Sequence, residues 1–431
     1  MEIIVNPPQG QWKALCRRVV ADDAAIEGRV RAILERVLSG GDTALVDITR
    51  EVEGRDPAAN QQGNPFLVSS AEITAAAASV SADLKEAIAA AADNIRAFHA
   101  AQKPASVALE TMPGVSCMRR SLPIERVGLY IPGGSAPLFS TLLMLAIPAR
   151  IAGCREIVLC TPAGRDGKVA PAVLYAASVC GVDTIYSLGG AQAIAAMAYG
   201  TETIAPVSKI FGPGNRYVTK AKQLVAATGV AIDMPAGPSE VMVMADDTAS
   251  DRFVASDMLS QAEHGPDSQA MLVCKSGEFA VRVQAEVARQ LALLPRSDIA
   301  TKALENSRIV VMENHDQAIA FANAYAPEHL IVAVQDPWAI AEQITAAGSV
   351  FIGNYSPESA GDYASGTNHT LPTMGLARAW SGIGLDSFMH SITYQELTRE
   401  GLSSLGKTIV TMAEAEGLDA HAAAVKIRLE Q

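Results

Sequence analysis

Two stretches of this chain alternate short apolar runs with longer helical segments, and that alternation narrows the possible folds more than any other feature. The first begins at Arg126. There VGLYI, EIVLC, TIYSLGG and KIFGPGN read as strands, separated by the helices TLLMLAIPARIAG, AVLYAASVC and AQAIAAMAYG and followed by RYVTKAKQLVAA. The second begins at Glu240, where EVMVMA, QAMLVC, SRIVVM, HLIVAV and GSVFIG alternate with helices, among them one ending in SQAEH and a long one through Val283 and Val287. Strands that return through helices make right-handed crossovers and pair in parallel. Two such blocks predict two open parallel sheets with a cleft between them, and no solenoid-type repeat is visible.

The remainder reads as scaffold and tail. Residues from about Ala25 to Ala101 are helical in pattern: GRVRAILERVLSGGDTALVDI breaks at Gly40-Gly41 and restarts with Asp42 as N-cap, and Glu72 to His99 is a long helix or a helix pair. After Gly353 the chain is loop-rich. It closes with a helix around Ser404 to Glu416, a stop at Gly417, and a last helix capped by Asp419. That tail is too small for a core of its own and should pack on another domain or subunit.

Composition excludes several classes. A chain of 431 residues exceeds one ordinary core. With 5% aromatic residues, small aliphatic side chains must fill the interior, as in buried parallel sheets. The net charge of −12 and the lack of a Lys/Arg cluster argue against nucleic acid and anionic membranes. The opening MEIIVNPPQGQ has no signal or transit pattern, and no apolar run is long enough to cross a bilayer, so a cytoplasmic protein is expected. Cys16, Cys117, Cys154, Cys160, Cys180 and Cys274 show no CxxC pair and read as reduced and mostly buried.

Several residues could carry chemistry. Gln261 and His264 in SQAEHGPD sit three apart at a helix end, on one face, with Gly265-Pro266 turning the chain beside them. The spacing suits a metal and equally suits ordinary hydrogen bonding. The loops Pro132 to Pro137, Gly189 to Ala193 and Gly212 to Asn215 follow strands, where glycines let backbone N–H groups approach a dinucleotide, or serve only as turns. Pro327 fixes a turn before Glu328 and His329, a carboxylate and an imidazole that could share proton work or be a surface acid beside a half-buried histidine. Asp362 and His369 lie in the loop GDYASGTNH, where Asp362 is a hard oxygen ligand or an Asx-turn residue. His421 opens the last helix, while His99, His315 and His390 have no supporting context.

Taken in order, YIPGGSAPLFSTLLMLAIPARIAGC, LGGAQAIAAMAYGTE, KIFGPGN, DMPAGPSEVMV, SDMLSQAEHGPDSQ, PEHL, GSVFIGNYSPESAGDYASGTNH and EGLDAHAAAVKIR resemble the histidinol dehydrogenase family across almost the whole chain from about Ala25. The resemblance implies an α/β fold of two incomplete Rossmann-like domains with a helical N-terminal segment and a small helical C-terminal tail. Its divisions would be an arm (1–24), helices (25–123) joined with a zinc and catalytic domain (237–380), an NAD-binding domain (124–236), and a tail (381–431) crossing to a partner subunit.

The same resemblance implies one zinc per subunit on Gln261, His264, Asp362 and His421, with Glu328 and His329 as the acid/base pair. It implies Ser239, His369 and Glu416 around the substrate, together with the zinc ligands and His329, and Tyr130, Gln192 and Asn215 around NAD. The implied reaction is oxidation of L-histidinol to L-histidine by two NAD in a cytoplasmic homodimer, without a thiol intermediate. The competing readings are a related zinc- and NAD-dependent dehydrogenase of another polar alcohol, which Glu416 and His421 argue against, and a zinc hydrolase, which normally has three protein ligands rather than four. Met374 and Glu53 depart from the family's usual residues and are expected to lie outside the site.

Overall fold

The computed structural model describes residues 1–18, 24–57, 64–133, 137–164, 166–235 and 237–430; the centre of the Pro132 to Pro137 loop, residues 134–136, and part of the expected arm fall outside them. The strands, numbered along the chain, are β1 (Glu2–Val5), β2 (Val107–Met112), β3 (Val115–Pro123), β4 (Arg126–Tyr130), β5 (Glu156–Cys160), β6 (Thr184–Tyr186), β7 (Lys209–Phe211), β8 (Ala231–Ile232), β9 (Glu240–Ala245), β10 (Gln269–Cys274), β11 (Arg308–Val311), β12 (His329–Ala333), β13 (Ser349–Ile352) and β14 (Met389–Leu397). Among the described residues they form two parallel sheets, ordered β6-β5-β4-β7-β8 and β1-β11-β10-β9-β12-β13, and one antiparallel sheet, β14-β3-β2. The α/β expectation holds, and the nine apolar runs read as strands all lie in the two parallel sheets.

The differences have physical causes. Residues 1–24 contain a strand, since Glu2–Val5 pairs in parallel with β11 and closes that edge. The tail contains one too: β14 pairs along its whole length with β3. Both β2 and β14 are exposed on nearly every residue, so neither shows the apolar alternation that marks a half-buried strand. The resemblance implies that the N-terminal helices join residues 237–380; in the structure their apolar faces pack on the five-stranded unit. Leu34, Leu45 and Ile48 of the helix Ala24–Glu53 meet Ile194, Met197 and Val225, while Ile88 and Ile95 of the helix Ala82–Ala100 share a core with Leu142 and Leu174. Toward residues 237–380 the same helix offers polar contacts, with Asn94 Nδ2 donating to the Ala364 carbonyl at 2.9 Å.

Helix ends follow local chemistry only in part. The kink at Gly41, with φ of 50°, appears where expected. Asp42 does not act there as foreseen: its N–H donates to Glu202 at 2.7 Å and its Oδ1 is buried without a partner. Gly417 ends its helix with φ of 72°, whereas Asp419 is the first helical residue and not the cap. Buried His99 is structural, as its lack of context suggested, with Nδ1 2.8 Å from the Ile95 carbonyl. Among the described residues no helix is long and apolar enough to cross a membrane.

One buried ion pair fixes the end of β7. Lys222 and Asp233 contact each other with side-chain exposures of 5% and 2%. Asp233 accepts from the Gly212 N–H at 2.8 Å, and Lys222 donates to the Gly212 carbonyl at 2.8 Å, so the pair grips both polar groups of one peptide position. Gly212 has φ of 123°, and a Cβ there would run into the Tyr130 carbonyl. Removing one partner of such a pair strands a buried charge, at a cost of about 3–5 kcal/mol. Lys222→Met should therefore lower the thermal midpoint by several degrees in a calorimetric scan, and more than Lys220→Met, whose pair with Glu27 is partly exposed.

Candidate active site

The two parallel sheets contribute opposite ends to the site. From the five-stranded sheet come carboxyl ends: Tyr130 closes β4, Gln192 lies in the first turn of the helix after β6, and Asn215 caps the helix after β7. A cleft of about 440 Å³ lies beside these ends, lined by Pro132, Gly133, Thr161, Pro162, Val169 and Leu174. The Tyr130 hydroxyl accepts from the Gly190 N–H at 3.1 Å, and burial pushes it up to about 12. Asn215 Oδ1 accepts from the N–H groups of Tyr217 and Val218 at 3.0 and 3.1 Å. Gln192 is buried and donates to Glu53 Oε1 at 3.4 Å, so Glu53, expected to be remote, touches a candidate site residue.

From the six-stranded sheet come amino ends. Ser239 precedes β9 and His329 opens β12, its neighbour, with His329 in register with Val241. The Glu240 N–H donates to Glu328 Oε2 at 2.8 Å, and the Glu240 carbonyl lies 3.2 Å from His329 Nδ1. A carbonyl only accepts, so Nδ1 carries the proton and Nε2 points elsewhere. Nε2 is buried without a hydrogen-bond partner, 3.6 Å from Asp362 Oδ1. Met374, the second departure, is also close to the site: its N–H donates to Glu240 at 2.6 Å.

Asp362 is not in a loop but in the short helix Glu358–Tyr363, which begins after Pro357. Its i, i+4 partner Glu358 shares its face and enters the site, a residue the sequence reading missed although the spacing was available to find it. Gln261 lies in the last turn of the helix Asp251–Ala262, and His264 lies beyond its end at Glu263. Donor atoms of His264, Glu358 and Asp362 fall within 4.8 Å of one another. Both side-chain polar atoms of Gln261 and both carboxylate oxygens of Glu358 are buried and unpartnered.

Electrostatics reflect this crowding. Burial drives Glu328 up to about 7, partly opposed by His329, and drives Glu358 up to about 8. Burial alone would lower His329, yet Glu328, Glu358 and Asp362 together raise it to about 10. Burial would raise Asp362, but its contact with His329 outweighs that and holds it below the ordinary carboxylate value. Asp257, one turn before Gln261, is pushed up to about 7 by burial. Three acids thus surround one imidazole, with Asp257 acting on Glu358 beside them, a surplus of buried acidic groups that a cation would offset. An imidazole and hard carboxylates on one small volume, with the unpartnered Gln261 amide three residues before His264, fit a zinc ion.

His369 Nδ1 lies 2.8 Å from the Asp362 carbonyl and its Nε2 lies 2.9 Å from Thr141 Oγ1, which bridges the site to the five-stranded unit. Burial lowers His369, consistent with a neutral ring that accepts from Thr141. Glu416 and His421 are not brought together with these groups in one chain: both are exposed, and His421 is absent from the cluster formed by His264, Glu358 and Asp362.

Known proteins give the arrangement a context. A curated histidinol dehydrogenase of Bacteroides fragilis (strain YCH46) is 53% identical over 431 residues, covering 100% of this chain and 99% of its own. One from Vibrio parahaemolyticus is 52% identical over 417 residues, covering 96% of this chain and 94% of its own. The crystal structure of histidinol dehydrogenase from Elizabethkingia anophelis superimposes with a TM-score of 0.96 at 51% identity, over 100% of this chain and 98% of that one. The histidinol dehydrogenase family model matches residues 16–429, and with that span and those identities the chain belongs to the histidinol dehydrogenase family.

Proposed function

We propose that this chain oxidises L-histidinol to L-histidine through L-histidinaldehyde, with two NAD each accepting one hydride. The reading is carried by five buried polar atoms of Gln261, His329 and Glu358 that find no partner beside His264 and Asp362. Each such atom costs about 1–3 kcal/mol, so their concentration at one place fits a site built for ligands rather than for stability. Residues 124–236 serve as the NAD-binding domain, with Tyr130, Gln192 and Asn215 at the carboxyl ends of its strands. Residues 237–380 serve as the zinc and catalytic domain.

Gln261, His264 and Asp362 would hold one zinc per subunit, with His421 of the partner subunit as the fourth ligand. A zinc ion there supplies positive charge that orients the substrate's nitrogens and offsets the acids around His329. Ser239 and His369, with Glu416 of the partner subunit, would complete the substrate pocket. A homodimer is supported by the exposed apolar side chains of the antiparallel sheet and tail, among them Val107, Leu109, Ile392, Tyr394, Met412 and Ile427, which invite cover.

The residues divide the proton work. The acids around His329 hold it protonated in the metal-free protein, and a bound zinc would offset them; the neutral ring, its Nδ1 proton held by the Glu240 carbonyl, then presents Nε2 to take the hydroxyl proton as the first hydride leaves for NAD. Glu328, raised to about 7, takes a proton from the water that adds to the aldehyde, and the gem-diolate so formed loses the second hydride to NAD to give the acid. The buried thiols are unsuited to replace that water. Burial pushes Cys154 and Cys274 up to about 11 and Cys160 and Cys180 up to about 12, which suppresses the thiolate.

Absorbance of NADH tests the whole reading: zinc-loaded protein should form two NADH per L-histidinol, and no signal would end it. Glu328→Gln should slow NADH formation from L-histidinaldehyde by about 100-fold or more, the scale of a lost general base, and slow the alcohol step much less. Cys154→Ala and Cys117→Ala should each retain both steps; loss of aldehyde oxidation alone in a folded, zinc-loaded variant would require a thiol route. His421→Asn should lose zinc on dialysis, measured by metal analysis, while unchanged metal content would remove it from the ligand set.

A further inference from the structure

Arg18 belongs to none of the sequence motifs, yet its side chain reaches the centre of the molecule. Its Nε and Nη2 donate to the two oxygens of Glu240 at 3.1 and 2.8 Å, and both side chains are nearly enclosed, at 9% and 2% exposure. Nη2 also donates to the Tyr325 carbonyl at 2.6 Å and to that of Ala326 at 3.4 Å, and Nη1 donates to the Cys16 carbonyl at 3.1 Å. The guanidinium lies over the Tyr325 ring, 3.7 Å from its centroid. Tyr325 is held from the other end, its hydroxyl donating to Gln269 Oε1 at 2.6 Å.

These partners flank Glu328 and His329 on both sides. Before them in sequence, Ala326 is a non-glycine residue with φ of 53°, a left-handed conformation that persists only where the surroundings impose it. The carbonyls of Ala326 and its predecessor are the ones Arg18 holds. Beside them in space, the Glu240 main chain binds Glu328 through its N–H and His329 through its carbonyl. The Glu240 side chain meanwhile is occupied by Arg18 and the Met374 N–H. One guanidinium therefore ties the strained turn that delivers the acid/base pair to the strand that orients it.

We propose that Arg18, through its pair with Glu240, is a positioning residue for Glu328 and His329, acting on turnover without touching substrate, NAD or metal. The inference rests on the roles assigned above to Glu328 and His329. Lysine keeps the charge but cannot bind both carboxylate oxygens and two carbonyls at once, because the fork geometry is lost. Arg18→Lys should therefore fold and retain zinc, with kcat on L-histidinol lowered about tenfold or more, since small displacements of reacting groups cost up to about 100-fold in rate. The KM values for L-histidinol and NAD should stay within about threefold of the parent's.

Arg18→Met should lose more turnover, and if it fails to fold the lysine variant decides alone. A zinc-loaded Arg18→Lys protein with kcat within about twofold of the parent would overturn the proposal. So would a fall in kcat matched by loss of zinc or a rise in both KM values, the signature of general destabilisation. His329→Asn separates the two levels. If it loses turnover while Arg18→Lys keeps it, the positioning role fails and the assignment of the pair stands; if His329→Asn keeps turnover, the assignment itself fails.

Discussion

The pairing of β9 with β12 is the interaction on which the site depends. In a parallel ladder each residue's two main-chain groups address its neighbour, and at the amino end of these strands the groups of Glu240 run out of main-chain partners. They turn instead to side chains, the N–H to Glu328 and the carbonyl to His329. The sheet thereby fixes which imidazole nitrogen keeps its proton when the ring is neutral. A site built on strand ends inherits the rigidity of the ladder, which is what reacting groups require to be held in place.

Charge is the second constraint. Glu328, Glu358 and Asp362 converge on His329, with Asp257 acting on Glu358, and burial shifts every one of these acids except Asp362 toward the neutral form. A protein selected only for stability would have replaced such groups with apolar ones of similar size. The arrangement makes sense as half of a charge balance whose other half is a cation and a substrate amine. The unpartnered atoms of Gln261 and Glu358 belong to the same imbalance.

Much of the architecture was legible along the chain. Fully buried parallel strands such as EVMVMA and QAMLVC are apolar throughout and stand out from their amphipathic neighbours. By contrast, β2 and β14 carry polar residues on both faces, and β1 is four residues long, so no periodicity announced them. Of the site, His264, Glu328, His329 and Asp362 stand out in their motifs and are brought together, while Gln261 is buried with its amide unpartnered. Glu358 was passed over although it sits four residues before Asp362, because the segment read as loop and the helical spacing was not applied. Glu53 and Met374 were set aside by likeness to relatives and turned out to contact Gln192 and Glu240.

By itself the sequence determined the elements that local patterning governs: two parallel sheets, the helices between them, the glycine stops and the residue types able to bind metal and move protons. Only the tertiary structure decided how those types are used. Charge balance, tautomer and burial are sums over groups distant in the chain: Arg18 with Glu240, Glu240 with Glu328 and His329, Gln192 with Glu53. Such sums have no periodicity to read. They exist only once strand pairing has placed the amino ends of β9 and β12 side by side and closed the interior to water.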